Sequence, residues 1–111
     1  MMPVNFDTIY TQIKEDASSL IKTSFAEYVN ETKDDLKSFL NESKTDLKRY
    51  TEQYLQGELT KDEVAFLVEG KKDLLAMKTL ERTGVAKVRI HVFKGKLINI
   101  IVKSITGGIS I

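Results

Sequence analysis

Residues 22–50, KTSFAEYVNET KDDLKSFLNES KTDLKRY, repeat every eleven positions: Lys22, Lys33 and Lys44 recur, followed by Phe25, Leu36 and Leu47 and then by Tyr28, Phe39 and Tyr50. Eleven residues make about three α-helical turns, so equivalent positions drift by only ~20° per repeat and one apolar stripe is kept along a nearly straight helix. Toward the N-terminus, Ile9, Tyr10, Ile13, Ala17, Leu20 and Ile21 continue in steps mostly of three or four. Asn5 stands where an N-cap accepts a backbone hydrogen bond, with Val4 and Ile9 at the staple positions. Toward the C-terminus the stripe reaches Tyr54, and Gly57 stands where a left-handed residue ends a helix. Neither Pro nor Gly interrupts the run. The pattern predicts an amphipathic helix over about residues 5–56, roughly 75 Å long at ~1.5 Å per residue. A break is permitted near 30–33, where Thr32 alone represents the stripe and Asn30 or Thr32 can cap a new helix.

A second helix is predicted over about 60–82. Thr60 and Glu63 form a capping box, and Leu59 with Val64 supplies the hydrophobic staple. Its apolar positions, from Val64 through Phe66, Leu67, Val68, Leu74, Leu75 and Met77 to Leu80, exceed one narrow stripe, as for a helix packed on two sides. Gly84 is the expected terminator, and Gly70 within the helix is read as a point of close packing. The last segment, about 86–105, has two readings. Val88, Ile90 and Val92 alternate with Arg89 and His91 before a Lys94-Gly95-Lys96 turn, as in a β-hairpin. As a helix, Ile90, Phe93, Leu97, Ile101 and Ile105 make one face with Arg89, Lys96, Asn99 and Lys103 opposite. Helix is preferred, because an isolated two-stranded hairpin is marginal in water and nothing else in the chain supplies strands. The tail from Thr106 to Ile111 is expected to be loose.

The fold class expected is therefore all-α, a helical bundle or an elongated helical dimer, with residues 1–111 as one domain of ordinary size. Cysteine is absent, which removes disulfides, thiolate nucleophiles and thiolate metal sites. No basic leader followed by an apolar run opens the chain, and no stretch has the roughly 18 apolar residues of a membrane span. A soluble, cytoplasmic protein is expected, with association at a membrane surface left open. Charge is unevenly placed: residues 1–56 sum to −3 and residues 57–111 to +4, and no acidic side chain follows Glu81.

Catalytic signals are thin. His91 is the sole histidine and its neighbours are apolar or basic. The carboxylate pairs Asp34 with Asp35 and Asp62 with Glu63 read as solvated helix-surface or first-turn residues. No glycine-rich phosphate loop, metal-ligand spacing or cofactor motif is present, so no catalytic, metal or cofactor-binding residue is assigned. A small enzyme resting on unplaced carboxylates and His91 is the weakest alternative. The repeated lysines are interleaved with Glu27, Glu31, Asp35, Glu42 and Asp46, which disfavours nucleic-acid binding by this helix. The four tyrosines, Tyr10 among them, are expected to pack their rings while keeping their hydroxyls near water.

Over Lys22–Tyr54 the eleven-residue period resembles that of lipid-surface helical proteins such as apolipoproteins, a likeness of period that transfers no functional residue. The main expectation is a non-enzymatic assembly or scaffolding protein. A ~75 Å stripe exceeds what a second helix of ~34 Å can cover, so an interface is expected on Phe25, Tyr28, Leu36, Phe39, Leu47, Tyr50 and Tyr54, giving a homo-oligomer, most simply a two-fold dimer, or docking a partner helix. The alternative is a peripheral protein binding anionic lipid, or an acidic partner, through Arg89, Phe93, Lys96, Leu97, Ile101 and Lys103. Docking of that segment inside the protein is preferred over lipid contact.

Overall fold

A computed structural model describes residues 5–107, and the regular structure among them is helical, with no strand. Five α-helices follow in order: α1 (Phe6–Ser24), α2 (Val29–Leu55), α3 (Lys61–Gly70), α4 (Lys78–Glu81) and α5 (Lys87–Gly107). Short 3₁₀ turns occupy Ala26–Tyr28 and Lys71–Leu74. α1 and α2 form an antiparallel hairpin, with Tyr10 of α1 beside Lys44 of α2 and Phe6 sharing a groove with Leu55. α5 packs on α1 and α3, while α4 and α3 cover α2. The result is an all-α bundle, and α2, 27 residues or ~40 Å long, accounts for its 45 Å long axis.

That axis excludes a 75 Å rod. The first helix is not continuous over 5–56, and its break lies earlier than 30–33, at Phe25–Tyr28. Thr32 does not cap α2 but donates its hydroxyl back to the Tyr28 carbonyl at 2.7 Å. No Pro or Gly marks the corner. Residues 23–32 are instead rich in Thr, Ser, Val, Asn and aromatic residues, all middling helix formers, so a break here costs little. In return the stripe of α1 lies against the stripe of α2. Arg89 of α5 clasps the corner: its guanidinium donates to the Ser24 carbonyl at 2.8 Å and to the Glu27 carboxylate at 3.1 Å, and lies 5.0 Å above the Phe25 ring. Phe25 and Phe93 complete it, with ring centroids 5.3 Å apart.

The repeat survives the break as a burial pattern. In α2 the residues that face inward include Thr32, Leu36, Phe39, Ser43, Leu47 and Tyr50, stepping four, three, four, four and three. Each eleven-residue unit thus contributes two large apolar side chains and a third position, which is Thr32, then Ser43. Thr32 satisfies its hydroxyl on its own helix, but the buried Ser43 Oγ has no hydrogen-bond partner.

The expected second helix over 60–82 is broken as well. Its start is as predicted: Thr60 accepts from the Glu63 amide and Glu63 accepts from the Thr60 amide. α3 then ends at Gly70, where no atom beyond its chain neighbours and its own helix backbone lies within 4 Å of the place a Cβ would take, so Gly70 is not a close-packing point. Beyond the 3₁₀ turn, Leu75 and Met77 are both fully buried. Two positions apart on an α-helix would set them about 200° from each other. The chain instead makes a tight turn at Leu75, where the Ala76 amide donates to the Leu74 carbonyl at 3.0 Å, and leaving the helix there lets both side chains be buried. Met77 adopts a left-handed conformation, with φ of 50°. The one-turn α4 that follows has no local side-chain cap; Asp35 of α2 supplies one, accepting from the Thr79 and Leu80 amides at 3.0 and 2.8 Å. Asp35 is therefore not the solvated surface residue expected, although Asp34 is exposed.

Asn5 caps α1 through the Thr8 amide at 2.9 Å, and Gly57 and Gly84 both take positive φ beyond helix ends. The staple residue Val4 lies outside the described residues. α5 is a helix and not a hairpin, because that form sends Ile90, Phe93, Leu97, Ile101 and Ile105 together into the core. It runs through Thr106 and Gly107, where a loose tail was expected. Thr106 is buried, donates to the Val102 carbonyl and accepts from the Tyr54 hydroxyl at 3.4 Å. The rest of that tail lies outside the described residues.

Candidate interaction surfaces

The stripe expected between molecules is spent within one. Phe25, Leu36, Phe39, Leu47 and Tyr50 belong to the core of a single copy, and Tyr28 and Tyr54 pack half-buried against it. The premise of an uncovered greasy stripe on the first helix is thus removed. The second predicted set divides likewise: Phe93, Leu97 and Ile101 are buried, which is the internal docking preferred from sequence. Arg89 is engaged at the α1–α2 corner, whereas Lys96 and Lys103 are exposed.

What remains uncovered lies elsewhere, and helix geometry explains why. On α3, Val64 and Val68 are four apart and fully buried, so Phe66, two positions from each, must face away; it is 78% exposed. Phe66 and Leu67 line a shallow apolar cleft with Leu59, and Asp62 and Glu63 flank it. On α5, Val88 and Val92 are 73% and 48% exposed and continue through Lys96 into a ridge at four-residue spacing. This ridge borders the corner residues Ser24 and Phe25 and is lined by Arg89 and Lys96, with no acidic residue anywhere on α5. One surface is apolar with acidic flanks and the other apolar with basic flanks.

These surfaces were legible in part. Val88 and Val92 were visible in the sequence only as the strand-like alternation, and Phe66 was submerged in a segment read as two-sided. The signal that separates Phe66 from its neighbours is its offset of two from the pair Val64 and Val68.

His91 is exposed on α5. Among the described residues no three His, Cys, Asp or Glu side chains gather where they could hold a metal ion. Asp46 receives a hydrogen bond from the Lys71 ammonium and lies 3.3 Å from Arg49. Chiefly because of that hydrogen bond, and with the positive charges of Lys71 and Arg49 acting the same way, its carboxyl is held below the ordinary aspartate range. This ties α2 to the 3₁₀ turn after α3 and is structural. No described helix is long and apolar enough to cross a membrane. No protein family, curated protein or solved structure matches this chain.

Proposed function

We propose that this is a non-enzymatic helical assembly protein that pairs with a second copy of itself, the acid-flanked cleft around Phe66 of each copy receiving the basic Val88–Val92 ridge of the other. The observation that carries the reading is Phe66, a phenyl ring almost wholly in water on a well-capped helix. Covering such a ring is worth about 1.5–3 kcal/mol. Charge selects the occupant, since Asp62 and Glu63 flank the cleft while Arg89 and Lys96 line the ridge. A reciprocal contact of this kind closes under two-fold symmetry. A partner helix with the same basic and apolar character would compete for the cleft. A cytoplasmic setting accords with the lack of cysteine.

Sedimentation equilibrium tests it. The expected result is a dimer at micromolar concentration that loosens as salt rises, and a monomer for both Phe66→Ser and Val92→Asp. A wild-type chain that stays monomeric in low salt refutes the reading.

The acid-free α5 also supports a second reading, in which its exposed valines and lysines rest on an anionic lipid surface. Flotation with vesicles containing phosphatidylserine separates the two. Lipid contact predicts binding that Val92→Asp abolishes and Phe66→Ser leaves intact; no flotation eliminates it.

A further inference from the structure

A second surface is defined by charge rather than by exposed apolar groups. Two opposed helices, α1 and α2, form a groove of about 430 Å³. α1 contributes Lys14 and Ser18, and α2 contributes Lys33, Lys37, Asn41 and Lys44. No acidic side chain lines it, although the whole chain is nearly neutral at +1. Its floor holds the ring of Tyr10, and the Lys14 and Lys44 ammonium groups lie 5.1 and 5.0 Å from that one ring centroid. Their separation is therefore bounded by the sum of those two distances, although they rise from different helices. None of the four lysines makes an ion pair among the described residues.

The eleven-residue repeat is what aligns them. At about 100° per residue, Lys33, Lys37, Lys44 and the neighbouring Lys48 fall within a sector of roughly 60° on α2. Of the acids that interleave with them in sequence, Asp35 is turned to α4 and Asp46 to Lys71, and at the same ~100° per residue Glu31 and Glu42 fall on the far side of α2. Lys22, the first lysine of the repeat, is separated from this row because the chain folds back at Phe25–Tyr28. Neutralisation inferred from the linear sequence thus fails at this face. Burial raises the Tyr10 phenol above its ordinary pKa, so the floor contributes a neutral ring and no compensating anion. Four like charges around one concavity repel one another, and that repulsion is relieved by a ligand carrying several negative charges close together.

We infer that the groove between α1 and α2 is a binding site for a compact polyanion, a small molecule or headgroup bearing two or more phosphate groups, held between Lys14 on one wall and Lys33, Lys37 and Lys44 on the other. The ammonium groups take phosphate oxygens as charge-assisted donors, and Asn41 and Ser18 add neutral polar contacts. A small ligand is favoured over a nucleic-acid strand because Lys14 closes the site from across the groove, and because the volume lies in the range of small-molecule sites, about 300–1,000 Å³.

The probe is inorganic tripolyphosphate, titrated calorimetrically into the full chain at low ionic strength and followed in parallel by thermal melting. Wild type is expected to bind one equivalent saturably and to melt higher. Lys37→Gln and Lys44→Gln are expected each to weaken binding about tenfold or more, while the unliganded variants keep their helical circular dichroism and melt no lower than wild type, since repulsion has been reduced. Lys61→Gln, at an exposed lysine of α3 that does not line the groove, serves as the control and retains full binding. Vesicles bearing a phosphatidylinositol bisphosphate distinguish the source: capture that tripolyphosphate displaces indicates a headgroup, and no capture indicates a free phosphate compound. Unsaturable binding, equal loss in the control variant, or an oligonucleotide binding with a stoichiometry that grows with its length would each overturn the assignment.

Discussion

Replacing Asp35 with alanine removes the only side-chain cap of α4, and the structure sets the size of the loss. Two backbone amides, those of Thr79 and Leu80, lose carboxylate acceptors at 3.0 and 2.8 Å. Hydrogen bonds to a charged group contribute about 1.5–3 kcal/mol each, and loss of an N-cap typically costs about 1 kcal/mol. Water can reach the half-buried Thr79 but not the fully buried Leu80, so the combined cost is placed at about 2–3 kcal/mol. For a domain of this size that corresponds to a fall of roughly 10–15 °C in Tm. The left-handed Met77 adds leverage, because its backbone strain is tolerated only while α4 is held in place. Urea unfolding followed by circular dichroism is the assay. Asp34→Ala, one residue away, exposed and unbonded, is expected to stay within about 0.5 kcal/mol of wild type. Asp35→Asn, which keeps an acceptor oxygen without the charge, is expected to fall between. Equal midpoints for Asp35→Ala and Asp34→Ala would refute the claim that α2 caps α4.

Ser43→Ala removes a buried hydroxyl that has no partner, and is expected to leave stability unchanged or raise it by up to about 1 kcal/mol in the same urea assay. Phe39→Ala and Phe66→Ala remove the same ring from opposite environments; the first is expected to lose about 3–5 kcal/mol and the second less than about 0.5 kcal/mol under monomeric conditions. For Asp46 the folded-state pKa is depressed, so its contribution is complete above the ordinary aspartate range and disappears as pH falls through the lowered value. Asp46→Asn should accordingly bring the Tm of variant and wild type together at the acid end of a pH series while leaving them apart near neutrality.

Local signals in the sequence were strong wherever the structure is decided within a few residues. The Asn5 cap, the Thr60–Glu63 box and the positive-φ positions of Gly57 and Gly84 each need only neighbours in the chain, and each is present. The buried face of α5 was readable as the preferred of two patterns, five large side chains at helical spacing set against the strand-like alternation over residues 88–92. The two breaks were not. At Phe25–Tyr28 no residue forbids a helix; the hairpin is chosen by what it covers and by Arg89, more than sixty positions away. At Leu75–Met77 the pattern was present as a spacing of two, but it was hidden within a longer run of apolar residues. Asp35 illustrates the same limit for polar groups, since its partners lie forty-four and forty-five residues on. The candidate groove depended on the first of these breaks: only after the chain doubles back does Lys14 face the lysines of α2.

The Arg89 clasp also sets an order of events during synthesis. Ser24 and Glu27 emerge from the ribosome long before the residue that fastens them, so the nascent α1–α2 segment has no guanidinium to hold its bend. Until α5 arrives, the bend has only local contacts to oppose the straight helix that its periodicity also permits. α5 therefore acts as a latch, and a chain truncated before position 89 is expected to leave the elongation machinery without a committed topology.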